Sequence, residues 1–206
     1  KQIKIIDLFS GPGGLGEGFS ALKNTEGNFP FKIAISIEKE KSAHRTLKLR
    51  AFFRQFKGNA PKEYYDFLKG NLGKTPEEQL YRIPKYQEQV SSAAIEAQNL
   101  ELGKDNELIN KKILDAIGED ECILIGGPPC QAYSNAGKRN KKDYDPTADP
   151  RNFLYKEYLK IIAQFQPTIF VMENVKGMLS TKINGKSIYD TIFTDLHNPC
   201  ESVKTA

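Results

Sequence analysis

The sequence predicts an α/β fold in which an open, mostly parallel sheet carries helices on both faces. Four short apolar runs lack the polar alternation of half-exposed strands, which is typical of buried parallel strands; they lie at residues 3–6, 33–37, 122–125 and 168–172. Helix-like segments separate the runs, and this alternation is typical of a parallel sheet. Such sheets bind ligands at the carboxyl ends of their strands, so the residues that follow the runs are candidates for a functional site.

The helix-like segments carry apolar residues at helical spacing. The first two follow the first two strands and contain Leu15, Phe19 and Leu22, and Ala43, Leu47 and Ala51, respectively. A third, over residues 108–117, is expected to end before Gly118, because glycine is favoured directly after a helix. A fourth, over residues 155–165, precedes Pro167.

Residues 1–206 are expected to form one domain, with a mainly helical excursion at about residues 52–120. Thr75-Pro76-Glu77-Glu78 resembles a capping box with proline at the first helical position, so a helix should start there. Pro84 is expected to end or kink that helix. The aromatic residues of this region are interpreted as packing residues; they are Tyr64, Tyr65, Phe67, Tyr81 and Tyr86.

The composition excludes several classes of protein. Three cysteines are too few for a disulfide framework, and with only two histidines no zinc-ligand spacing exists, so we expect no metal site. No apolar run approaches the ~20 residues that a membrane-spanning helix needs, and the apolar stretch at the N-terminus is too short for a secretory signal. A cytoplasmic protein is therefore expected. The net charge of +4 fits a polyanionic partner only weakly.

A glycine-rich segment follows the first strand, and we call residues 9–14 the glycine loop. Gly11, Gly13 and Gly16 satisfy G-x-G-x-x-G, a spacing that lets the backbone turn tightly and approach a ligand at a helix N-terminus. Glu38 ends the second strand, where a carboxylate can accept hydrogen bonds from both ribose hydroxyls of a nucleoside. These features favour a nucleotide-like cofactor, leaving open a dinucleotide, S-adenosylmethionine or an unliganded turn.

Cys130 differs from the other two cysteines in its surroundings. The third strand runs into Gly-Gly-Pro-Pro-Cys-Gln-Ala-Tyr-Ser at residues 126–134, and two prolines stiffen the backbone just before the thiol. Cys122 lies within a strand, as a small buried hydrophobic residue would, and Cys200 has no motif around it. Cys130 is therefore the candidate nucleophile, although an unperturbed thiol is mostly protonated at neutral pH and needs local activation.

The four motifs DLFSGPGG, Glu38, GGPPCQAYS and Glu173-Asn174-Val175 occur together in order. In this order and spacing they resemble those of the DNA cytosine carbon-5 methyltransferase family. The resemblance covers nearly the whole chain, although residues 52–103 match none of the family's motifs. It implies a Rossmann-like class I S-adenosylmethionine-dependent fold and methyl transfer to carbon 5 of a cytosine flipped out of double-stranded DNA.

The resemblance also implies roles for individual residues. Cys130 would add to carbon 6 of the cytosine, Glu173 would hydrogen-bond its ring nitrogen 3 and exocyclic amine, and Asn174 would hold the loop around the site. Residues matching the cofactor site are Phe9, Ser10, Gly11, Gly13, Gly14, Glu38, Pro128 and Leu154. Residues matching the DNA-contacting region are Gln131 and Ser134, together with the cations Lys138, Arg139, Lys141 and Lys142, which a solvated surface would equally explain.

The chain departs from the family pattern at three places. Lys39 stands where an aromatic residue often follows Glu38, which leaves the adenine-stacking partner in doubt; Ile37 or another side chain could serve. No acidic adenine contact is evident, and Asp105, Asp115 and Asp120 remain open. The family's later motifs and target-recognition domain are not visible, so we expect a fragment or a chain completed by a second polypeptide.

Two other interpretations remain at this point. The glycine motif and Glu38 alone also fit an NAD-dependent oxidoreductase, which leaves the Cys130 and Glu173 motifs unexplained. A catalytically inactive homologue could act as a DNA-binding or regulatory partner, although the presence of Cys130 and Glu173 argues against it. The favoured interpretation is a bacterial, nucleoid-associated enzyme of a restriction-modification or related methylation system.

Overall fold

The protein is described by a computed structural model that covers residues 1–129, 154–183 and 185–204. The first half contains β1 (Ile3–Leu8), α1 (Gly14–Ala21), β2 (Phe31–Ile37), α2 (Lys41–Arg54), α3 (Lys62–Leu68), α4 (Gln87–Glu96) and β3 (Ala97–Gln98). The second half contains α5 (Asn106–Ile117), β4 (Cys122–Gly126), α6 (Leu154–Phe165), β5 (Ile169–Met172), β6 (Lys182–Ile183), β7 (Lys186–Ser187), α7 (Ile188–His197) and α8 (Pro199–Lys204). Short 3-10 helices lie at Leu80–Arg82, Pro84–Tyr86 and Lys176–Ser180.

The main sheet has five strands in the order β3-β2-β1-β4-β5, and every pairing in it is parallel. Strands β6 and β7 form a separate antiparallel pair. The predicted α/β class is confirmed, and all four apolar runs are strands of the main sheet. The helices predicted from apolar spacing are also present, and α5 ends before Gly118, whose φ of 59° suits glycine.

The two faces of the main sheet pack against different helices. On one face, buried strand residues such as Ile6, Leu8 and Leu124 share a core with α5, α6 and α7. On the other face, Ile5, Ile33, Ile123 and Ile125 pack with residues of α1. A further core joins α2, α3 and α4 and contains Tyr64, Tyr81 and Tyr86. The expected placement of helices on both sides of a Rossmann-like sheet is confirmed.

The prediction that a helix starts at Thr75-Pro76 is wrong. Residues 76–79 form turns, and a 3-10 helix follows at Leu80–Arg82. The side chain of Glu78 accepts a hydrogen bond from the main-chain nitrogen of Lys74 at 2.8 Å, instead of closing a capping box on Thr75. Pro84 also lacks the N–H that a continuing helix would need, so a helix starting at Thr75 could contain only about two turns.

The outer edge of β5 differs from the rest of the sheet. Among the described residues β5 pairs only with β4, and Ile169, Phe170 and Val171 are 54%, 38% and 38% exposed. An edge strand normally carries charged residues, proline or a covering element, because its free N–H and C=O groups can pair with another strand. These three apolar residues provide no such protection.

Candidate functional site

The carboxyl ends of β1, β2, β4 and β5 meet at one edge of the sheet, because these strands are parallel. The connection from β1 leads to β2 on one side, while β4 lies on the other side of β1. The strand order therefore reverses between β1 and β4. Ligands of open α/β sheets bind at such a point. The glycine loop, Glu38, Gly127 and Glu173 all follow strands at this edge.

The glycine loop has a backbone that few residue types tolerate. Gly11 has φ 56° and Gly13 has φ 89°, conformations that glycine adopts without steric cost. A Cβ atom on Gly13 would stand 2.8 Å from Cδ1 of Leu47, so α2 also excludes a side chain there. Phe9 has φ 53°, an uncommon value for an aromatic residue and of the kind that concentrates at functional sites.

Glu38 connects the end of β2 to the glycine loop. Its Oε2 atom accepts a hydrogen bond from the main-chain nitrogen of Gly11 at 2.8 Å, and its Oε1 atom accepts one from Glu40 at 2.6 Å. Each carboxylate oxygen has two lone pairs, so each retains capacity for a ligand hydroxyl group. The carboxylate is thereby fixed in orientation and remains able to accept two further hydrogen bonds.

A cleft opens between these segments. Its lining residues are Phe9, Ile37, Glu38, Lys39, Leu100, Leu102, Gly127, Pro129 and Leu154. Three of the predicted cofactor residues, Phe9, Glu38 and Leu154, therefore lie together, although α6 is far from β1 in sequence. Ser10 does not line the cleft. Its hydroxyl instead connects β1 to β2, because it donates to the main-chain oxygens of Asp7 at 2.8 Å and Ile37 at 3.3 Å.

The sequence did not reveal Leu100 and Leu102, which form one wall of the cleft. They follow β3, and Asn99 fixes this segment by donating from Nδ2 to the main-chain oxygens of Glu38 at 2.8 Å and Lys39 at 3.0 Å. Lys39, which stands where the resemblance led us to expect an aromatic residue, forms an ion pair with Glu101 at 3.1 Å. This side of the cleft is thus bounded by aliphatic residues and this ion pair.

The acidic residues considered for adenine contact do not line the cleft. Asp105 accepts a hydrogen bond from the main-chain nitrogen of Glu101 at 2.8 Å, within the turn before α5. Asp120 forms ion pairs with Lys1 and Lys4 near the amino end of β1. These two ion pairs hold the pKa of Asp120 down at about 2. Asp115 lies within α5 and outside the cleft lining.

The segments after β4 and β5 are joined by hydrogen bonds. Nδ2 of Asn174 donates to the main-chain oxygen of Pro128 at 3.2 Å, and the main-chain nitrogen of Glu173 donates to the oxygen of Gly126 at 2.9 Å. A Cβ atom on Gly127 would stand 2.7 Å from Oε2 of Glu173, so the glutamate side chain passes over a residue that must be small. Glu173 is exposed, which leaves its carboxyl group accessible to a substrate.

Several predicted site residues lie outside the described residues. They are Cys130, Gln131, Ser134, Lys138, Arg139, Lys141 and Lys142. Pro128 and Pro129, directly before Cys130, are described; Pro128 is buried and Pro129 lines the cleft. The chain therefore enters the Cys130 segment from the edge of the cleft.

Comparison with known proteins identifies the family. The sequence profile of C-5 cytosine-specific DNA methylases matches residues 93–198, which is about half of the chain. The chain belongs to the C-5 cytosine-specific DNA methylase family. The resemblance inferred from the four motifs is confirmed, and the matched segment includes β4, β5 and the Cys130 motif between them.

Two relatives match almost the whole chain. It is 34% identical to the type II methyltransferase M.Bpa9945I of Bacillus paralicheniformis over 86% of this chain and 42% of the relative. It is 31% identical to the type II methyltransferase M.AquIA of Picosynechococcus over 95% of this chain and 57% of the relative. The chain thus spans about half the length of these proteins.

The methylase fold fits a nucleoside cofactor in the cleft. A Cβ atom on Gly11 or Gly14 would meet no atom of the described residues within 4 Å, so these residues leave open space for a ligand. The fixed carboxylate of Glu38 and the aliphatic wall at Leu100 and Leu102 suit a ribose and an adenine ring, respectively. Within the described ranges no three metal-ligating side chains come together, and no helix is long and apolar enough to cross a membrane.

Replacement of Glu38 by Gln is expected to raise the Kd for S-adenosylmethionine about 10- to 100-fold, because hydrogen bonds to a charged group contribute about 1.5–3 kcal/mol. The matched control is Glu101→Gln, which removes a carboxylate at the rim of the same cleft. It is expected to change the Kd less than about 3-fold, since exposed ion pairs contribute little. Titration calorimetry measures both, and equal losses in the two variants would exclude a direct ribose contact by Glu38.

Proposed function

We propose that the full-length protein transfers a methyl group from S-adenosylmethionine to carbon 5 of cytosine in double-stranded DNA, through a covalent bond between Cys130 and carbon 6. The observation that carries the proposal is the convergence, in a member of this family, of the glycine loop, Glu38 and Glu173 at one edge of the sheet. The segment that leads into Cys130 starts at that same edge.

The chemistry requires a nucleophile at the position that we assign to Cys130. Carbon 5 of cytosine is barely nucleophilic until a thiolate adds to carbon 6, after which the resulting enamine can attack an electrophilic methyl group. Bound S-adenosylmethionine supplies that methyl group. Loss of the carbon 5 proton to a base and departure of the thiolate then restore the aromatic ring.

Glu173 and Asn174 support this step in our proposal. Glu173 hydrogen-bonds ring nitrogen 3 and the exocyclic amine, and thereby offsets the negative charge that the ring gains as the thiolate adds. Its position across Gly127 brings the carboxyl group next to the segment that carries Cys130. Asn174 positions that segment through its hydrogen bond to Pro128.

Contacts to DNA are proposed for the residues that follow Cys130. Gln131 and Ser134 lie next to the nucleophile in sequence, and Lys138, Arg139, Lys141 and Lys142 provide four cations for phosphate groups. Base flipping costs a few kcal/mol, which such contacts can offset. Neutralisation of the four cations should lower both DNA affinity and its dependence on salt concentration.

Within the described part of the chain, the outer edge of β5 has no covering element. We infer that a further strand covers Ile169, Phe170 and Val171, supplied either by additional sequence of the same polypeptide or by a second polypeptide. The support is the apolar, unprotected edge together with relatives about twice as long. Hydrogen exchange at β5 should be slower in the complete enzyme than in residues 1–206 alone; equal rates would contradict the inference.

The relatives' designation as type II methyltransferases supports a role in a bacterial restriction-modification system, acting in the cytoplasm on nucleoid DNA. The alternative is an inactive homologue that binds DNA or regulates another enzyme. Retention of both Cys130 and Glu173 favours the enzyme.

The test is to incubate the full-length protein with S-adenosylmethionine and DNA that contains 5-fluorocytosine. Fluorine at carbon 5 cannot leave as a proton does, so an active enzyme should remain covalently attached to the DNA after methyl transfer. A shifted band under denaturing conditions supports the proposal. Tight DNA binding without any covalent complex, on DNA of varied sequence, would favour the inactive homologue.

A further inference from the structure

The hydroxyl group of Tyr158 lies between two strands of the main sheet. Tyr158 belongs to α6 and is fully buried, with 0% of its surface exposed. Its hydroxyl lies 3.2 Å from the main-chain oxygen of Leu124 in β4 and 3.1 Å from that of Val171 in β5, and can donate its hydrogen to either. A main-chain oxygen has two lone pairs, so it can accept this bond without giving up one within the sheet. One side chain of α6 therefore connects two neighbouring strands.

The two strands are connected close to the points where the chain leaves the sheet. Leu124 stands two residues before Gly126, which ends β4, and Val171 stands two residues before Glu173. The ring of the tyrosine also packs under this place, because its Cε2 atom lies 3.2 Å from the point where a Cβ atom on Gly126 would stand. The main-chain nitrogen of Glu173 in turn donates to the oxygen of Gly126 at 2.9 Å. The tyrosine thus supports the start of both the Cys130 segment and the segment with the glutamate.

The position of β5 depends on few other contacts. Among the described residues β5 pairs only with β4, and its outer edge is exposed. A buried hydroxyl group is costly unless it forms a hydrogen bond, so the hydroxyl of Tyr158 favours the arrangement in which the oxygens of both strands are within reach. Burial also raises the pKa of Tyr158 above its usual range, so the hydroxyl keeps its proton and remains a donor.

We propose that Tyr158 is a positioning residue for methyl transfer, because its hydroxyl joins β4 to β5 and thereby aligns the Cys130 segment with Glu173. This inference rests on the proposed function. The thiolate adds to one atom of the cytosine ring while the glutamate holds two others, so both groups must be in place at once. A misplacement of about 1 Å can lower a rate by about 100-fold. The glycine loop and Glu38 follow β1 and β2, so cofactor binding does not depend on this alignment.

The test compares Tyr158→Phe with the wild type as full-length proteins, with S-adenosylmethionine and DNA that contains 5-fluorocytosine. At saturating DNA and cofactor, the rate of covalent complex formation is expected to fall about 10-fold, while the Kd for S-adenosylmethionine should not change. The matched control is Tyr155→Phe. Tyr155 also lies in α6 and is 4% exposed, but its hydroxyl donates to Asp195 of α7 at 3.0 Å. Its replacement leaves the link between the strands intact, so the rate should equal that of the wild type.

Stability separates positioning from a merely structural role. Each variant loses a hydroxyl group that donates a hydrogen bond, so urea denaturation should show similar decreases in the free energy of unfolding for both. An unchanged covalent rate in Tyr158→Phe, a Kd for S-adenosylmethionine that rises in parallel with the loss of rate, or equal slowing in the two variants would overturn the inference. Absence of a covalent complex in the wild type, on DNA of varied sequence, would instead overturn the proposed function.

Hydrogen exchange provides a readout that does not depend on activity. The main-chain N–H of Glu173, which donates to Gly126, should exchange faster in Tyr158→Phe than in the wild type, because β5 can then move relative to β4. In Tyr155→Phe its exchange should match that of the wild type. Equal exchange at Glu173 in all three proteins would overturn the inference, whether or not the protein methylates DNA.

Discussion

Replacement of Cys130 by Ser is expected to lower methyl transfer at least about 10³-fold and to abolish the covalent complex with 5-fluorocytosine DNA. A serine hydroxyl is far less nucleophilic than a thiolate, and removing the nucleophile of a covalent mechanism usually eliminates most of the catalysis. Binding of S-adenosylmethionine should change less than about 3-fold, because the glycine loop and Glu38 come from other strands. Initial rates and calorimetry on the full-length protein measure these two effects.

Cys200→Ser is the matched control for this experiment. Cys200 is an exposed free thiol at the start of α8, so its replacement should leave both the rate and the covalent complex unchanged. Cys122 is less suitable, because it is buried in β4 and its replacement would disturb the core. Substantial methylation by Cys130→Ser, or loss of activity in Cys200→Ser, would contradict the assignment of Cys130 as the nucleophile.

Features that depend on local sequence could be predicted well. Buried parallel strands are continuous apolar runs, so β1, β2, β4 and β5 were visible without any knowledge of their neighbours. Helix α5 has apolar residues at helical spacing and a glycine directly after it, which fixed its end. The glycine loop and Glu38 follow strands, and the parallel order of the sheet was sufficient to bring them together.

Features that depend on long-range packing could not be predicted in the same way. Strand β3 has only two residues, too few to show any periodicity, and its pairing with β2 is what brings Leu100 and Leu102 to the cleft. The Thr75-Pro76 motif failed for a related reason. Leu80 and Tyr81 are buried in the core between α2, α3 and α4, and that packing takes precedence over a local capping signal.

Asp7 shows a third limit of prediction from sequence. The sequence placed an acidic residue at the end of β1, but its chemical character depends on what surrounds it. Burial raises the pKa of Asp7 to about 7, while Glu38, at the end of β2, accepts hydrogen bonds from two main-chain nitrogens. Two acidic residues on neighbouring strands thus lie in different environments, which neither residue's place in the sequence reveals.

Replacement of Gly126 by Ala is expected to lower the free energy of unfolding by about 3 kcal/mol. Gly126 ends β4 directly opposite Leu8 of β1. A Cβ atom there would stand 2.2 Å from the main-chain oxygen of Leu8 and 3.2 Å from Cε2 of Tyr158. The nearer contact is with backbone in a central strand, so no side-chain rotation can relieve it. Residues 1–206 can be compared by urea denaturation followed by circular dichroism.

Gly18→Ala provides the matched control, because it adds the same methyl group in a different setting. Gly18 lies within α1, and a Cβ atom there would meet nothing within 4 Å. Alanine is favoured over glycine inside a helix by about 0.8–1.0 kcal/mol, so this variant should be slightly more stable than the wild type. A decrease in the free energy of unfolding below about 1 kcal/mol in Gly126→Ala would show that β1 and β4 can move apart enough to accommodate a methyl group. The glycine loop and the Cys130 segment follow these two strands, so a large loss in Gly126→Ala would indicate that the close pairing of β1 and β4 helps to align them.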